Sequence, residues 1–284
     1  MRAEQARKER QRRLYTALAA VVAVVVVVAA LVIVKVTTGD DKATAEPAGV
    51  ASDAVVNALG GIPATTFDTI GAGSITTVPR PMEGAPALTA DGKPRVLYVG
   101  ADFCPFCAAE RWAVVTALSR FGSFANLGVT SSSSSDVYPN TASLSFHGAT
   151  YSSSSLSFTG YETTDRDKKT LDQLSSADQA LFAKYDAAPY VEKNAAGSIP
   201  FVDIGGKYAI SGASFDPTVL KGKSQEEIAT ALADPNSAIA KSVVGTANVI
   251  TAALCQLTKK TPADVCSSKG VAAGEAKLIT SAIG

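Results

Sequence analysis

Cys104-Pro105-Phe106-Cys107 is the stretch of this sequence best suited to chemistry. Pro105 suits the first turn of a helix, where its missing N–H is not needed. A helix beginning there places the Cys104 sulfur near unpaired backbone N–H groups and the positive end of the helix dipole, both of which favour thiolate over thiol. The thiolate is the attacking species in disulfide exchange. Cys107 lies one turn later, close enough to form a disulfide with Cys104 and to resolve a mixed disulfide formed there. Zinc would call for about four ligands. A second C-x-x-C is missing and His147 is the single histidine, so no metal is expected. Exchange between sulfurs needs no cofactor.

Other residues bear on this pair. Pro200, in Ile199-Pro200-Phe201, reads as an ordinary strand-edge proline. It gains meaning in a redox fold if its peptide bond is cis and sits against the cysteines, because the Ile199 backbone could then pair with a bound peptide. Cys255 and Cys266, with ten residues between them, read as a structural disulfide pinning a helical hairpin. The sharper alternative is a second redox pair relaying electrons to or from the first. Phe103, Pro105, Phe106 and Trp112 are expected beside the site, Trp112 as core or rim. Glu110 and Arg111 read as a solvated face, although Arg111 could favour the thiolate. His147, in a serine-rich extended stretch, reads as a surface residue rather than a catalytic one.

The elements that must position the cysteines follow from the pattern of apolar residues. Arg95-Val96-Leu97-Tyr98-Val99-Gly100 reads as a buried strand, with Ala101-Asp102-Phe103 as the turn into Cys104. Ala108, Trp112, Val115 and Leu118 recur at helical spacing, with Gly122 as a stop. Leu127 to Thr130 is the next strand. Residues 131–160 hold two serine clusters and read as a pair of extended segments. Residues 167–186 read as a helix through Leu171, Leu174, Leu181 and Phe182. Ile199 to Ile204 is a buried strand, Gly205-Gly206 a hairpin turn and Lys207 to Ile210 the returning strand. Ser224 and Glu227 form a capping box, and a longer, amphipathic helix is expected from about Asn236 to Leu257.

The chain has 284 residues, of which 46% are hydrophobic and 18% charged, enough apolar material for a sizeable core. Net charge is zero, but residues 1–13 carry six basic and two acidic side chains. A nucleic-acid partner would call for a basic face on the folded part; none is visible. Leu14 to Val34 has no charged residue and is long enough to cross a bilayer as a helix. The basic tail before it should stay cytoplasmic and place the rest outside, as a single-pass protein of the cell membrane. A cleavable signal ending at Ala43-Thr44-Ala45 fits less well, because the apolar run is long and that site lies far beyond it. Residues 35–54 read as a flexible tether. Residues 55–284 form the exported domain, opening with an irregularly packed extension at 55–93. Four cysteines in such a chain fit an oxidising compartment.

Taken together, Val96 to Trp112, Leu118-Ser119-Arg120-Phe121-Gly122 and Ser198 to Gly206 resemble the thioredoxin superfamily. More closely, they resemble a family of exported thioredoxin-like proteins known as a domain of unknown function, over roughly residues 55–267. The resemblance implies an α/β thioredoxin-like fold: a central mixed sheet flanked by helices, with an insertion at about 131–198. It implies Cys104 as nucleophile, Cys107 as resolving cysteine, and Pro200 as the cis-proline. Many thioredoxins carry a buried acid six residues before the first cysteine; Tyr98 stands there in this chain. Proline followed by an aromatic between the cysteines looks more like exported oxidases than like reductive thioredoxins. The function expected is a membrane-anchored oxidoreductase that oxidises or isomerises disulfides in exported proteins with cysteines. By analogy with exported oxidases, a quinone-linked membrane thiol oxidase is its partner. The alternatives are a non-catalytic peptide-binding module and a copper-delivery protein using the same cysteine pair.

Overall fold

The computed structural model describes residues 48–281. The basic tail, the expected membrane helix Leu14–Val34 and the tether up to residue 47 lie outside the described residues. In chain order these form β1 (Gly49–Val50), α1 (Asp53–Gly60), α2 (Ala64–Ile70), β2 (Arg80–Pro81), β3 (Thr89–Ala90), β4 (Lys93–Gly100), α3 (Pro105–Leu118) and β5 (Gly122–Ala125). There follow β6 (Gly128–Ser131), β7 (Ala142–Ser145), β8 (Thr150–Ser153), β9 (Ser157–Glu162), α4 (Ser176–Tyr185), β10 (Phe201–Ile204) and β11 (Tyr208–Ser211). A 3-10 turn (Pro217–Leu220) leads to α5 (Gln225–Ala231), α6 (Ala238–Leu257), α7 (Ala263–Cys266) and α8 (Lys269–Ser281).

The site is built on a mixed sheet in which β4 is central. β9 runs parallel to it, with Val96 opposite Phe158 and Gly100 opposite Glu162. On the other edge β10 is antiparallel, pairing Val99 with Phe201, and β11 and β2 continue the sheet outward. Side chains alternate across a strand. Val96 and Tyr98 therefore pack on one face with Trp112, Val202 and Ile204, while Leu97 and Val99 pack on the other with Phe201 and Tyr185. Both faces are covered, which is why β4 reads as a continuous apolar run rather than an alternating one. Arg95 ties α4 to the sheet through a forked pair of hydrogen bonds to Asp178, at 2.8 and 2.9 Å.

α3 packs against α6 and β7. It is buried almost all round, so the expectation that Glu110 and Arg111 form a solvated face is corrected: both are fully buried. α6 is likewise a core helix rather than an amphipathic one. It is the only helix among the described residues long and apolar enough to cross a membrane, and it is mostly buried inside the fold.

Five further expectations change. The helix expected over 167–186 begins only at Ser176, capped by the Ser175 side chain; the residues before it form turns and a bridge between Thr164 and Thr170. The stretch read as an insertion at 131–198 supplies β9, a strand of the central sheet. Residues 55–93 are more regular than expected, with α1, most of which falls there, and α2. Gly122 opens β5; α3 ends at Leu118, where tight turns from Arg120 to Ala117 and Phe121 to Leu118 close it. Regular structure also reaches into the expected tether, since Gly49–Val50 pairs with β6. The Gly205-Gly206 hairpin turn follows its reading. Both residues have positive φ (68° and 69°), as such a turn requires.

Cys255 and Cys266 form a disulfide, with Cα atoms 5.7 Å apart, joining the end of α6 to α7. Closing a loop of that size contributes roughly 3 kcal/mol in the chain-entropy account. A Cys255→Ala/Cys266→Ala variant should lose about 2–3 kcal/mol of unfolding free energy in urea titrations and keep its remaining chemistry.

Candidate functional site

Cys104 is the N-cap of α3, and Pro105 fills the first helical position. The thiol sulfur thereby receives the backbone N–H of Cys107 at 3.2 Å. It also lies 3.7 Å from the carbonyl oxygen of Ile199, to which its S–H donates. The Ile199–Pro200 peptide bond is cis. Cys104, Cys107, Ile199 and Pro200 are thus brought together, although the last two lie about a hundred residues downstream. They meet because β4 and β10 are neighbours, with Val99 opposite Phe201.

The two sulfurs are unequal. Cys104 keeps 5% of its surface open and Cys107 none, so only the first can meet a visiting group. The Cys104 thiol is held below its ordinary value, first by the hydrogen bond from the Cys107 thiol, then by the N–H of Cys107 and by the Arg111 guanidinium; burial opposes them. Cys107 is pushed well up, first by burial and then by its proximity to the Cys104 sulfur. The arrangement is a nucleophile or leaving group on the outside and a protonated partner behind it.

Sequence reasoning allowed that Arg111 could favour the thiolate but missed its burial and its carboxylate partners, Glu162 and Asp102. Arg111, one turn beyond Cys107 on α3, donates to the Ala101 carbonyl at 2.6 Å, to Ser143 Oγ at 2.8 Å and to the Leu144 carbonyl at 3.0 Å. Its Nη2 donates to Glu162 Oε2 at 3.0 Å, and its Nε lies 2.8 Å from Glu162 Oε1. Asp102 stands 3.6 Å away and receives the Ser145 hydroxyl at 3.0 Å. Burial raises the Glu162 carboxyl to about 8, outweighing the guanidinium that pulls it down. Burial also works against the Arg111 charge, but the groups around it, Glu162 first among them, together more than offset it. Tyr98 lies on the same side, its hydroxyl buried without a hydrogen-bond partner among the described residues, and burial keeps it protonated.

The remaining expected neighbours separate into rim and core. Phe106 is exposed and packs edge-on against Tyr138, their ring centres 5.7 Å apart. Phe103 carries the Lys168 ammonium 5.1 Å above its ring. Trp112 is wholly buried, its indole N–H donating to the Ala142 carbonyl at 3.1 Å. His147 stands apart at the surface, its Nδ1 2.8 Å from Asp172 Oδ1. An open groove of about 530 Å³ runs past Phe106, Tyr138, Ile199, Ala213 and Phe215, of which Ile199 has its carbonyl 3.7 Å from the Cys104 sulfur.

Glu110 on the opposite flank of α3 receives both the N–H and the hydroxyl of Ser214, at 2.8 and 3.1 Å. Burial nevertheless pushes its carboxyl from 4.5 to about 7. A group raised on folding adds stability that is complete below its unfolded value and is lost as pH climbs through its folded value. Asp186 and Asp203, each raised to about 6 by burial, act in the same direction. Stability should therefore fall between pH 5 and pH 8, with Glu110 accounting for roughly 3 kcal/mol. Glu110→Gln should flatten that slope in urea titrations taken across the range.

A family model described as a domain of unknown function (DUF929) matches residues 84–256. That span holds both cysteines of the pair, Arg111, Glu162 and the Ile199–Pro200 turn. No curated protein and no solved structure matches the chain.

Proposed function

We propose that this chain, which belongs to the DUF929 family, is a membrane-anchored, thioredoxin-like thiol–disulfide oxidoreductase that oxidises cysteines in exported proteins. The observation that carries the reading is the meeting at Cys104: a sulfur at a helix N-terminus, receiving the Cys107 N–H at 3.2 Å and lying 3.7 Å from the Ile199 carbonyl beside a cis-proline. The four strands β9, β4, β10 and β11, one parallel pairing followed by two antiparallel ones, support the thioredoxin-like comparison. The apolar segment Leu14–Val34 with its basic flank supports the anchor, and the Cys255–Cys266 disulfide supports an oxidising compartment.

In the oxidising direction a client thiolate attacks Cys104 of the Cys104–Cys107 disulfide. Cys107 leaves and takes up a proton, and the client is held as a mixed disulfide. A second client thiolate attacks the client sulfur, forming the client disulfide and releasing Cys104 as the thiolate that its surroundings favour. Two client thiols thereby lose two electrons and two protons, and the protein disulfide becomes a dithiol. A quinone-linked membrane thiol oxidase would take the electrons from Cys104 and Cys107 and restore the disulfide. The groove along Phe106, Tyr138 and Ile199 suits an extended segment with an apolar side chain next to its cysteine.

The test is trapping with Cys107→Ala. With the resolving thiol gone, mixed disulfides on Cys104 should accumulate in cells, disappear on reduction and be missing from the Cys104→Ser/Cys107→Ala variant. A folded Cys107→Ala protein that collects no such adducts would contradict the reading.

A further inference from the structure

The Arg111 guanidinium is held in place from several directions. Asp102 and the Ala101 carbonyl approach from the turn, Ser143 and Leu144 from β7, and Glu162 from β9. The Ala101 carbonyl that receives Arg111 at 2.6 Å also receives the backbone N–H of Cys104, at 3.2 Å. Arg111 therefore braces the turn that delivers the reactive sulfur, and it is a fixed, fully buried cation one helical turn beyond Cys107 whose charge favours the thiolate of both cysteines. Its partners are only partly neutralising: Glu162 is itself opposed by burial, and Asp102 is at 3.6 Å and shared with Ser145. The other titratable groups facing the pair are Tyr98, from β4, and the two thiols themselves.

We propose that Arg111 is a positioning and charge-setting residue of the exchange site, which stabilises the Cys104 thiolate of the reduced pair and so makes the Cys104–Cys107 disulfide a stronger oxidant. This rests on the redox reading of the site. Its physical basis is that a permanently charged guanidinium attracts a thiolate and does nothing comparable for a disulfide. Because reduction creates that thiolate, the cation shifts the equilibrium toward the dithiol.

Two readouts on Arg111→Met, Arg111→Lys and Arg111→Met/Glu162→Gln test the inference. The first is the pH dependence of Cys104 alkylation in the reduced protein. The second is the equilibrium of the pair with glutathione. Removing the charge should raise the alkylation midpoint by about one pH unit and move the equilibrium about tenfold toward the disulfide, or about 30 mV. The double variant, which leaves no unpaired Glu162 charge, should do the same if Arg111→Met does not fold. Arg111→Lys keeps the charge but not the forked hydrogen bonds, and should stay near the wild-type midpoint. A charge-free variant that titrates as the wild type does, or a lysine variant that behaves like the methionine one, overturns the inference. The alkylation profile does not depend on turnover. A wild-type pair that fails to cycle with glutathione would count against the proposed function, while the midpoints would still judge Arg111.

Discussion

Cys104→Ser should lower the rate at which the oxidised protein forms a disulfide in a two-cysteine peptide by at least about 10³-fold, to the uncatalysed level. The serine oxygen can still cap α3 and receive the Cys107 N–H, so the helix start survives. What is lost is the sulfur that accepts the client and leaves as thiolate. Cys107→Ser should also fail to turn over, but reduced Cys107→Ser should still attack an activated aromatic disulfide and release its aromatic thiolate, because Cys104 is the less buried of the two cysteines. Stopped-flow absorbance with that reagent separates the two variants. Equal first-step rates would show that Cys104 is not the attacking group.

Trp112→Ala should be the most destabilising single truncation on α3, at about 3–5 kcal/mol. Trp112 is wholly buried, joins the core beneath β4 and donates its indole N–H to the Ala142 carbonyl. Alanine would leave a large void and an unpaired acceptor in a region packed by α6 and β7. Thermal or urea unfolding measures the loss. A change below about 1 kcal/mol would mean that the site collapses around the void. Because this side chain supports the cysteine-bearing helix rather than touching a client, the fraction still folded should keep its Cys104 reactivity.

The local parts of this architecture were legible in the sequence itself; of the distant meetings, that of Ile199–Pro200 with the cysteines was expected only through the resemblance, and the others were not expected. The run from Val96 to Gly100, the turn at Ala101–Phe103 and the proline after Cys104 announce strand, turn and helix through propensities that act over a few residues. The Gly205-Gly206 turn and the Ser224 capping box are legible for the same reason. Arg111 was misread from its charge alone: it lies within the stripe of Ala108, Trp112, Val115 and Leu118, three residues after Ala108 and four before Val115, whereas Glu110 lies on the other face, which looks like the wet side of an ordinary helix. Val114 and Ala117 on that other face were the available signal: a helix apolar nearly all round is a buried one. Glu162 offered no such signal. It meets Arg111 only because β9 lies parallel to β4 and puts Glu162 opposite Gly100. A parallel crossover of some sixty residues leaves no short-range trace of its register. The polar run 167–175 was read as helix from Leu171 and Leu174, whereas the serine at 175 is the true cap.

The central claim is that Cys104 and Cys107 are an exchangeable pair rather than a fixed crosslink, and the most direct measurement is the reduction potential of the intact protein, read by thiol labelling across defined glutathione and dithiothreitol buffers. The account predicts a reversible two-electron transition between about −270 and −120 mV, with Cys255 and Cys266 still joined. A pair that remains oxidised below about −300 mV, or one that never forms a disulfide at any potential, would contradict it.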